Sequence, residues 1–166
     1  MLNKPKLILA SSSPRRLNLL KSIFIYPDQI ISPNINEQRL LKEKPEKMAL
    51  RLAQAKAFSS LEMLNLNEDA FIITADTIMA TKAKIFDKAT TNEDVRKYLS
   101  FFSGRKIKVH TAVSVAKIKA GNLEKISAKL ITSDIKFKRI SEEELKNYIE
   151  HGSAIGSAGG FSIQGL

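Results

Sequence analysis

Cysteine is absent from the 166 residues. That excludes disulfides, zinc–thiolate centres and thiol nucleophiles, and nothing points to an oxidising compartment, so a cytoplasmic location is expected. Tryptophan is also absent and aromatics make up only 7%. With no base-stacking or groove-reading motif either, the composition argues against a nucleic-acid-binding module. No stretch approaches the roughly 20 apolar residues of a membrane span, and "KPKLILASSSP" carries too short an apolar run for a secretory leader; no membrane partner is expected. The two histidines, His110 and His151, stand too far apart to suggest a transition-metal site or a triad. The glycine-rich "SAGGFSIQG" lacks both the Walker pattern and the dinucleotide fingerprint. Acidic residues are few, 17 against 27 lysines and arginines, which leaves a formal charge of +10. Such a field attracts anions without choosing among them.

What is present reads as an α/β chain, with 43% hydrophobic residues, enough for a buried core in one domain. "KLILA" (6–10) is a short apolar strand, and after three serines a stripe at Leu17, Leu20 and Phe24 has helical spacing. A second strand is expected at 28–32. The polar stretch from Pro33 then gives way to a helix opening near Pro45, with Met48, Leu52 and Ala55 on one face. "AFIITADTIMA" (70–80) is almost continuously apolar, as a doubly covered strand at the sheet centre would be. "TNEDVRKYLSFF" reads as a helix stopped by the glycine of "SGR". Residues 106–119 and 123–139 alternate as two strands of a hairpin joined by "AGN", with Ile107, Val109, Val113 and Val115 expected on one buried face. Ser141 and Glu144 form a capping-box pair for a last helix that Gly152 ends.

Several residues carry chemical possibilities beside plain structural ones. Ser13 and Pro14 suit the N-cap and first turn of a helix, whose free N–H groups make an anion site. Arg15 and Arg16 then stand at the end where cations oppose the helix dipole, a conflict that anion binding explains and capping does not. Asp76 sits within the apolar run 70–80, so its carboxylate must be paired, hold a metal or lie at an opening of the sheet. Lys56 shares the apolar stripe of its helix; it either snorkels to the surface or rises to meet phosphate. Glu37, in a polar loop, is either solvated or a second carboxylate that joins Asp76 around a hard divalent cation. Lys88 has nothing local to distinguish it. The Gln164 amide is either an ordinary surface group or a partner for a pyrimidine edge.

"LILASSSPRRLNLL", "NINEQ", "RLAQAKA", "ITADTIMA", "DKATTNEDVRKYLSFFSGR", "VHTAVSV", "ITSDIKFKRISEEELKNYI" and "AGGFSIQG" occur in an order and spacing that resemble the Maf family, the septum-formation-associated nucleoside triphosphate pyrophosphatases. The resemblance covers nearly the whole chain. It implies an elongated mixed sheet flanked by helices, similar to inosine triphosphate pyrophosphatases, with a nucleotide cleft between two lobes. The implied reaction hydrolyses the bond between the α and β phosphates of a nucleoside triphosphate, aided by Mg²⁺ or Mn²⁺. Residue by residue, the resemblance implies phosphate contacts from Ser11, Arg15, Arg16, Lys56 and Lys88. It implies a metal or acid–base role for Glu37, and catalysis and metal contact for Asp76. Arg16, Thr77 and Gln164 match the branch that prefers dTTP and UTP.

Departures cluster in the final motif. Gly156 and Ser157 stand where the family has an acid and a lysine; at a hydrogen-bonded charged site each such loss is worth about 1.5–3 kcal/mol. Ile107 replaces a family histidine. The family pattern continues past "IQG" with a further strand, so residues 1–166 are expected to form one Maf-like domain without it. An open strand edge would then favour association, with a homodimer as the form expected. The alternative to a working pyrophosphatase is a catalytically impaired homologue that binds nucleotide or a division-related partner.

Overall fold

The computed structural model describes residues 4–64, 67–152 and 154–162. Strand β1 (Lys6–Ala10) leads into helix α1 (Pro14–Ser22), β2 (Gln29–Ile31), helix α2 (Pro45–Met63) and β3 (Ala70–Ala80). After β4 (Ile85–Phe86) and α3 (Asn92–Phe102) come the long strands β5 (Lys106–Lys119) and β6 (Asn122–Lys136), then α4 (Glu142–Glu150). The sheet order is β2-β1-β3-β5-β6, with β4 added beside β3. β1 pairs in parallel with both β2 and β3, whereas β4 is antiparallel to β3, so the sheet is mixed. The almost continuously apolar run 70–80 is the central strand, as its composition predicts.

The chain divides into two compact units: Met1–Asp76 with Thr111–Leu130, and Thr77–His110 with Ile131–Leu166. The first has a core of Ile8, Ala10, Ala57, Ala70, Ile72, Ala116 and Ile118. Its helix α2 presents Ala49, Ala53 and Ala57, each wholly buried and one turn apart. Without bulky side chains the helix backbone comes close to the sheet. The Thr74 hydroxyl on β3 donates directly to the Ala53 carbonyl, at 2.6 Å. The buried face is thus Met48, Ala49, Leu52, Ala53, Lys56, Ala57 and Ser60. Ala55, expected on that face, lies only half-buried beside it, because the true contact line follows the alanines.

The second unit is built on aromatic packing. Phe86, Phe102 and Phe137 form its centre, with ring centroids 4.7 Å apart for Phe86 and Phe102 and 5.1 Å for Phe102 and Phe137. Helices α3 and α4 both start with capping boxes, Thr91 with Asp94 and Ser141 with Glu144. Only the second is an expectation of the sequence reading. Gly104 and Gly152 take left-handed backbone just past the two helices, as the stop signals require.

Two further expectations are corrected. On β5 the buried residues of the first unit are Ala112, Ser114, Ala116 and Ile118, whereas Val113 and Val115 are only half-buried. Ile107 and Val109 instead belong to the core of the second unit. One alternating strand serves two cores, and the parity of its buried residues changes between them. The stripe on α1 fails at its end: the helix stops at Ser22, and Phe24 takes a left-handed φ of 60° and is 83% exposed. Strand β4 is not anticipated by the sequence, since its two residues are too few to show any periodicity.

Candidate active site

The parallel register ends with Leu9 opposite Ile73, so Ser11 and, three residues past Ile73, Asp76 both lie beyond the β1–β3 pairing, although β3 itself runs on to Ala80. That is the carboxyl end of parallel strands, where open α/β sheets bind ligands. Ser11, 7% exposed, organises the corner. Its Oγ accepts from the Ser13 backbone N–H at 3.3 Å and from Arg16 Nη1 at 3.0 Å. Ser13 occupies the N-cap position, but its side chain makes no capping bond. The serine that stabilises the turn is therefore Ser11, not the Ser13 side chain that the capping rule selects.

Arg16 turns away from its own helix. Nη1 also donates to the Ala75 carbonyl at 2.8 Å, one residue before Asp76. This relieves the dipole conflict seen in the sequence, because the guanidinium lies over the sheet end. Burial pulls its pKa down, Asp76 and Glu37 pull it up, and the neighbouring Arg15 lowers it. The guanidinium thus sits in a field to which both carboxylates and the second arginine contribute. Arg15 is half-buried.

Two residues beyond Thr74 on the same face of β3, Asp76 is 4% exposed. Three residues beyond Ala53 on α2, Lys56 is 7% exposed. The Thr74–Ala53 contact brings strand and helix together, and Lys56 Nζ donates to Asp76 Oδ1 at 2.6 Å. Lys56 does not snorkel. The same ammonium meets Glu37 Oε1 at 2.7 Å, so a loop carboxylate and a strand carboxylate converge on one cation. Buried Ser60 donates back to the Lys56 carbonyl at 2.6 Å.

Ser11, Arg16, Glu37, Lys56 and Asp76 therefore form one connected cluster, with Arg15 adjoining. Thr77 and Lys88 fall in the second unit. Thr77 is half-buried on β3; Lys88 is exposed and bridges Ala158 through the backbone. Gln164 lies outside the described residues. The Gly156–Ser157 departure is structurally settled within its unit: Gly156 has a φ of 77° and donates to the Ala89 carbonyl, and Ala89 donates back to the Ser157 carbonyl at 3.1 Å. Ser157 is 2% exposed.

A pair missed in the sequence reading stands behind the cluster. Arg51 on α2 binds Glu43 through both carboxylate oxygens, at 2.6 and 2.8 Å, and donates to the Gln38 carbonyl at 3.0 Å. The loop residue and its helix partner are eight positions apart and share no periodic pattern. The only hint is an acid just ahead of a proline-opened helix that carries an arginine on its second turn.

The carboxylates suit a hard divalent ion. Among the described residues no group of three or more histidines and acids gathers, so the protein offers Glu37 and Asp76. One or two carboxylates, completed by water and substrate phosphates, is the usual donor set for Mg²⁺. The lysine ammonium between them marks a point that already accommodates a cation.

The Maf-like protein profile matches residues 6–166. A dTTP/UTP pyrophosphatase of Rhodopseudomonas palustris is 37% identical over all of this chain and 80% of its own length. Another of that name, from Nitrobacter winogradskyi, is 39% identical over the same shares. A nucleoside triphosphate pyrophosphatase of Orientia tsutsugamushi is 39% identical over 96% of this chain and 77% of its own. Among solved structures, a nucleoside-triphosphatase / dITP/XTP pyrophosphatase of Mycobacterium abscessus gives a TM-score of 0.43 at 17% identity over 81% of this chain and 75% of that one, too distant to bear on the chemistry. On the profile match and these relatives, the chain belongs to the Maf-like protein family.

Proposed function

We propose that the chain is a nucleoside triphosphate pyrophosphatase, which hydrolyses the bond between the α and β phosphates to give a nucleoside monophosphate and pyrophosphate. The observation that carries the reading is the buried Asp76 carboxylate just past the parallel pairing of β3 with β1, held at 2.6 Å by Lys56 and flanked by the Ser11–Arg16 corner. Relatives named dTTP/UTP pyrophosphatase support a pyrimidine nucleotide as substrate.

In this reading Arg15, Arg16 and Lys56 neutralise the triphosphate, and the Ser11 hydroxyl contributes a further hydrogen bond. Positive charge fixed where the leaving pyrophosphate gains negative charge favours the transition state over the ground state. Asp76 orients the attacking water and accepts its proton, and burial keeps bulk water from competing for the carboxylate. Glu37 and Asp76 would hold Mg²⁺ or Mn²⁺, which when bound supplies further charge neutralisation at the phosphates. Lys56 exchanges its two carboxylates for a phosphate as the nucleotide enters. The lack of cysteine fits a reducing compartment such as the cytoplasm, and the outer strands β2 and β6 offer edges for a second copy.

Incubation of the purified chain with a nucleotide panel and Mg²⁺ or Mn²⁺, with pyrophosphate measured, tests the assignment. Asp76→Asn is expected to abolish release while nucleotide binding persists. Wild-type turnover in that variant overturns the role of Asp76.

A further inference from the structure

Glu37 reaches Lys56 from a segment without regular structure, residues 32–44, that is poorly covered by apolar packing: Leu40 is 56% and Leu41 92% exposed. Polar contacts hold it instead, and they centre on one ion pair. Glu43 takes both Arg51 bonds, accepts the Leu40 N–H at 3.1 Å through Oε2, and through its carbonyl accepts from Arg39 Nε at 2.8 Å. Arg51 Nη2 also grips the Gln38 carbonyl, on the residue after Glu37. On the other side, Asn36 Oδ1 accepts the Gln38 N–H at 2.9 Å. Gln38, the residue after Glu37, is thus fixed by Arg51 to α2, the helix that also carries Lys56, and Asn36, the residue before it, is tied in turn to Gln38.

We infer that Arg51, with Glu43, is a positioning residue that sets the Glu37 carboxylate opposite Asp76 and thereby sets the affinity of the carboxylate pair for a divalent cation. The inference rests on the proposed function for its kinetic readout. A planar fork that makes three directed bonds has the geometry for this task, and a lysine at the same place has not. The clamp is separate from the phosphate corner, because Ser11 and Arg16 are held by β1 and β3. Its loss is expected to weaken metal use and to leave nucleotide affinity alone.

The test uses the full chain and the variants Arg51→Gln, Arg51→Lys, Glu43→Gln and Glu37→Gln, with pyrophosphate release from dTTP or UTP measured across a Mn²⁺ titration. Groups that orient metal ligands typically change affinity by about 10–100-fold. The Mn²⁺ concentration for half-maximal rate is therefore expected to rise about tenfold or more in Arg51→Gln and in Glu43→Gln. Arg51→Lys restores only part, and KM for nucleotide at saturating Mn²⁺ stays within about twofold of wild type. Adding Arg51→Gln to Glu37→Gln is expected to change nothing further. A half-saturating Mn²⁺ unchanged in both single variants, or an undiminished Arg51→Gln effect in the Glu37→Gln background, overturns the inference. Amide exchange at Gln38 and Leu40 supplies a second readout that needs no activity. Both amides are expected to exchange at least about tenfold faster in Arg51→Gln, and in Glu43→Gln if the first variant fails to fold; unchanged protection overturns the positioning role. A wild-type chain that releases no pyrophosphate refutes the proposed function, and the exchange experiment still decides the clamp.

Discussion

Replacing Lys56 with methionine keeps an unbranched, largely apolar stem and removes the ammonium, so the packing of the stem changes little. What remains is Asp76, 4% exposed, without the donor now 2.6 Å from its Oδ1. Removing one partner of a buried ion pair typically costs about 3–5 kcal/mol, because the surviving charge is left uncompensated. Glu37 adds little to that loss, since its side chain is 41% exposed and water replaces the lysine there. For a chain of this size each kcal/mol lowers Tm by roughly 2–4 °C, so a fall of about 6–20 °C is expected. Thermal and urea denaturation of Lys56→Met, Asp76→Asn and the double variant measure it. The double variant is expected to recover most of the loss, as both buried charges are then gone. Mn²⁺ is expected to raise the Tm of Lys56→Met more than that of wild type, because the two carboxylates have lost their internal cation and the bound ion stabilises the folded state by mass action. A single-variant loss under about 1 kcal/mol, or a double variant no better than the single, would refute the reasoning.

The remaining predictions follow from the same contacts. Arg16→Ala removes the Nη1 bonds to Ser11 and Ala75; we expect KM for nucleotide to rise at least about tenfold, a charge-assisted bond being worth about 1.5–3 kcal/mol, and an unchanged KM in a folded variant would exclude a phosphate contact. Arg51 holds the Glu43 pKa below its ordinary value, mainly through the side-chain hydrogen bond. A carboxyl depressed on folding stabilises the chain fully above its unfolded pKa, and that share is lost as pH falls through its folded pKa. Denaturation of wild type and Glu43→Gln from pH 7 downward is expected to show a gap that closes at acid pH; a gap constant with pH would contradict it. Ala53→Leu is expected to destabilise by about 1–3 kcal/mol through overpacking and to break the 2.6 Å Thr74–Ala53 approach; a neutral result by urea denaturation would mean that the helix has room to move.

How far the sequence carries the structure depends on whether a feature is local. The ends of β3 and β5 coincide with the apolar run and the alternating segment read from sequence, because a strand buried along its length announces itself residue by residue. Ser141 and Glu144 are legible for the same reason, the capping box lying within four residues. The parity change along β5 is not, since it depends on which core covers each stretch and both parities carry small apolar side chains. Asp76 is conspicuous as a charge in an apolar run, but its partner is not readable, because Lys56 looks like any other lysine on a helical stripe until the small residues beside it let the helix close on the sheet. Ser11 and Ser13 are exchanged in role because three consecutive serines offer the cap rule no means of choosing. The Arg51–Glu43 clamp joins a loop to a helix through side chains alone and leaves no periodic trace.

On the proposed reading the Asp76 carboxylate of β3, with the cations around it, cleaves a nucleoside triphosphate between its α and β phosphates. The most direct measurement is product identification by chromatography after incubation of wild type and Asp76→Asn with dTTP or UTP and Mg²⁺. Equal amounts of nucleoside monophosphate and pyrophosphate are expected from wild type and neither from the variant. Release of orthophosphate with nucleoside diphosphate, or equal turnover by the two proteins, would contradict it.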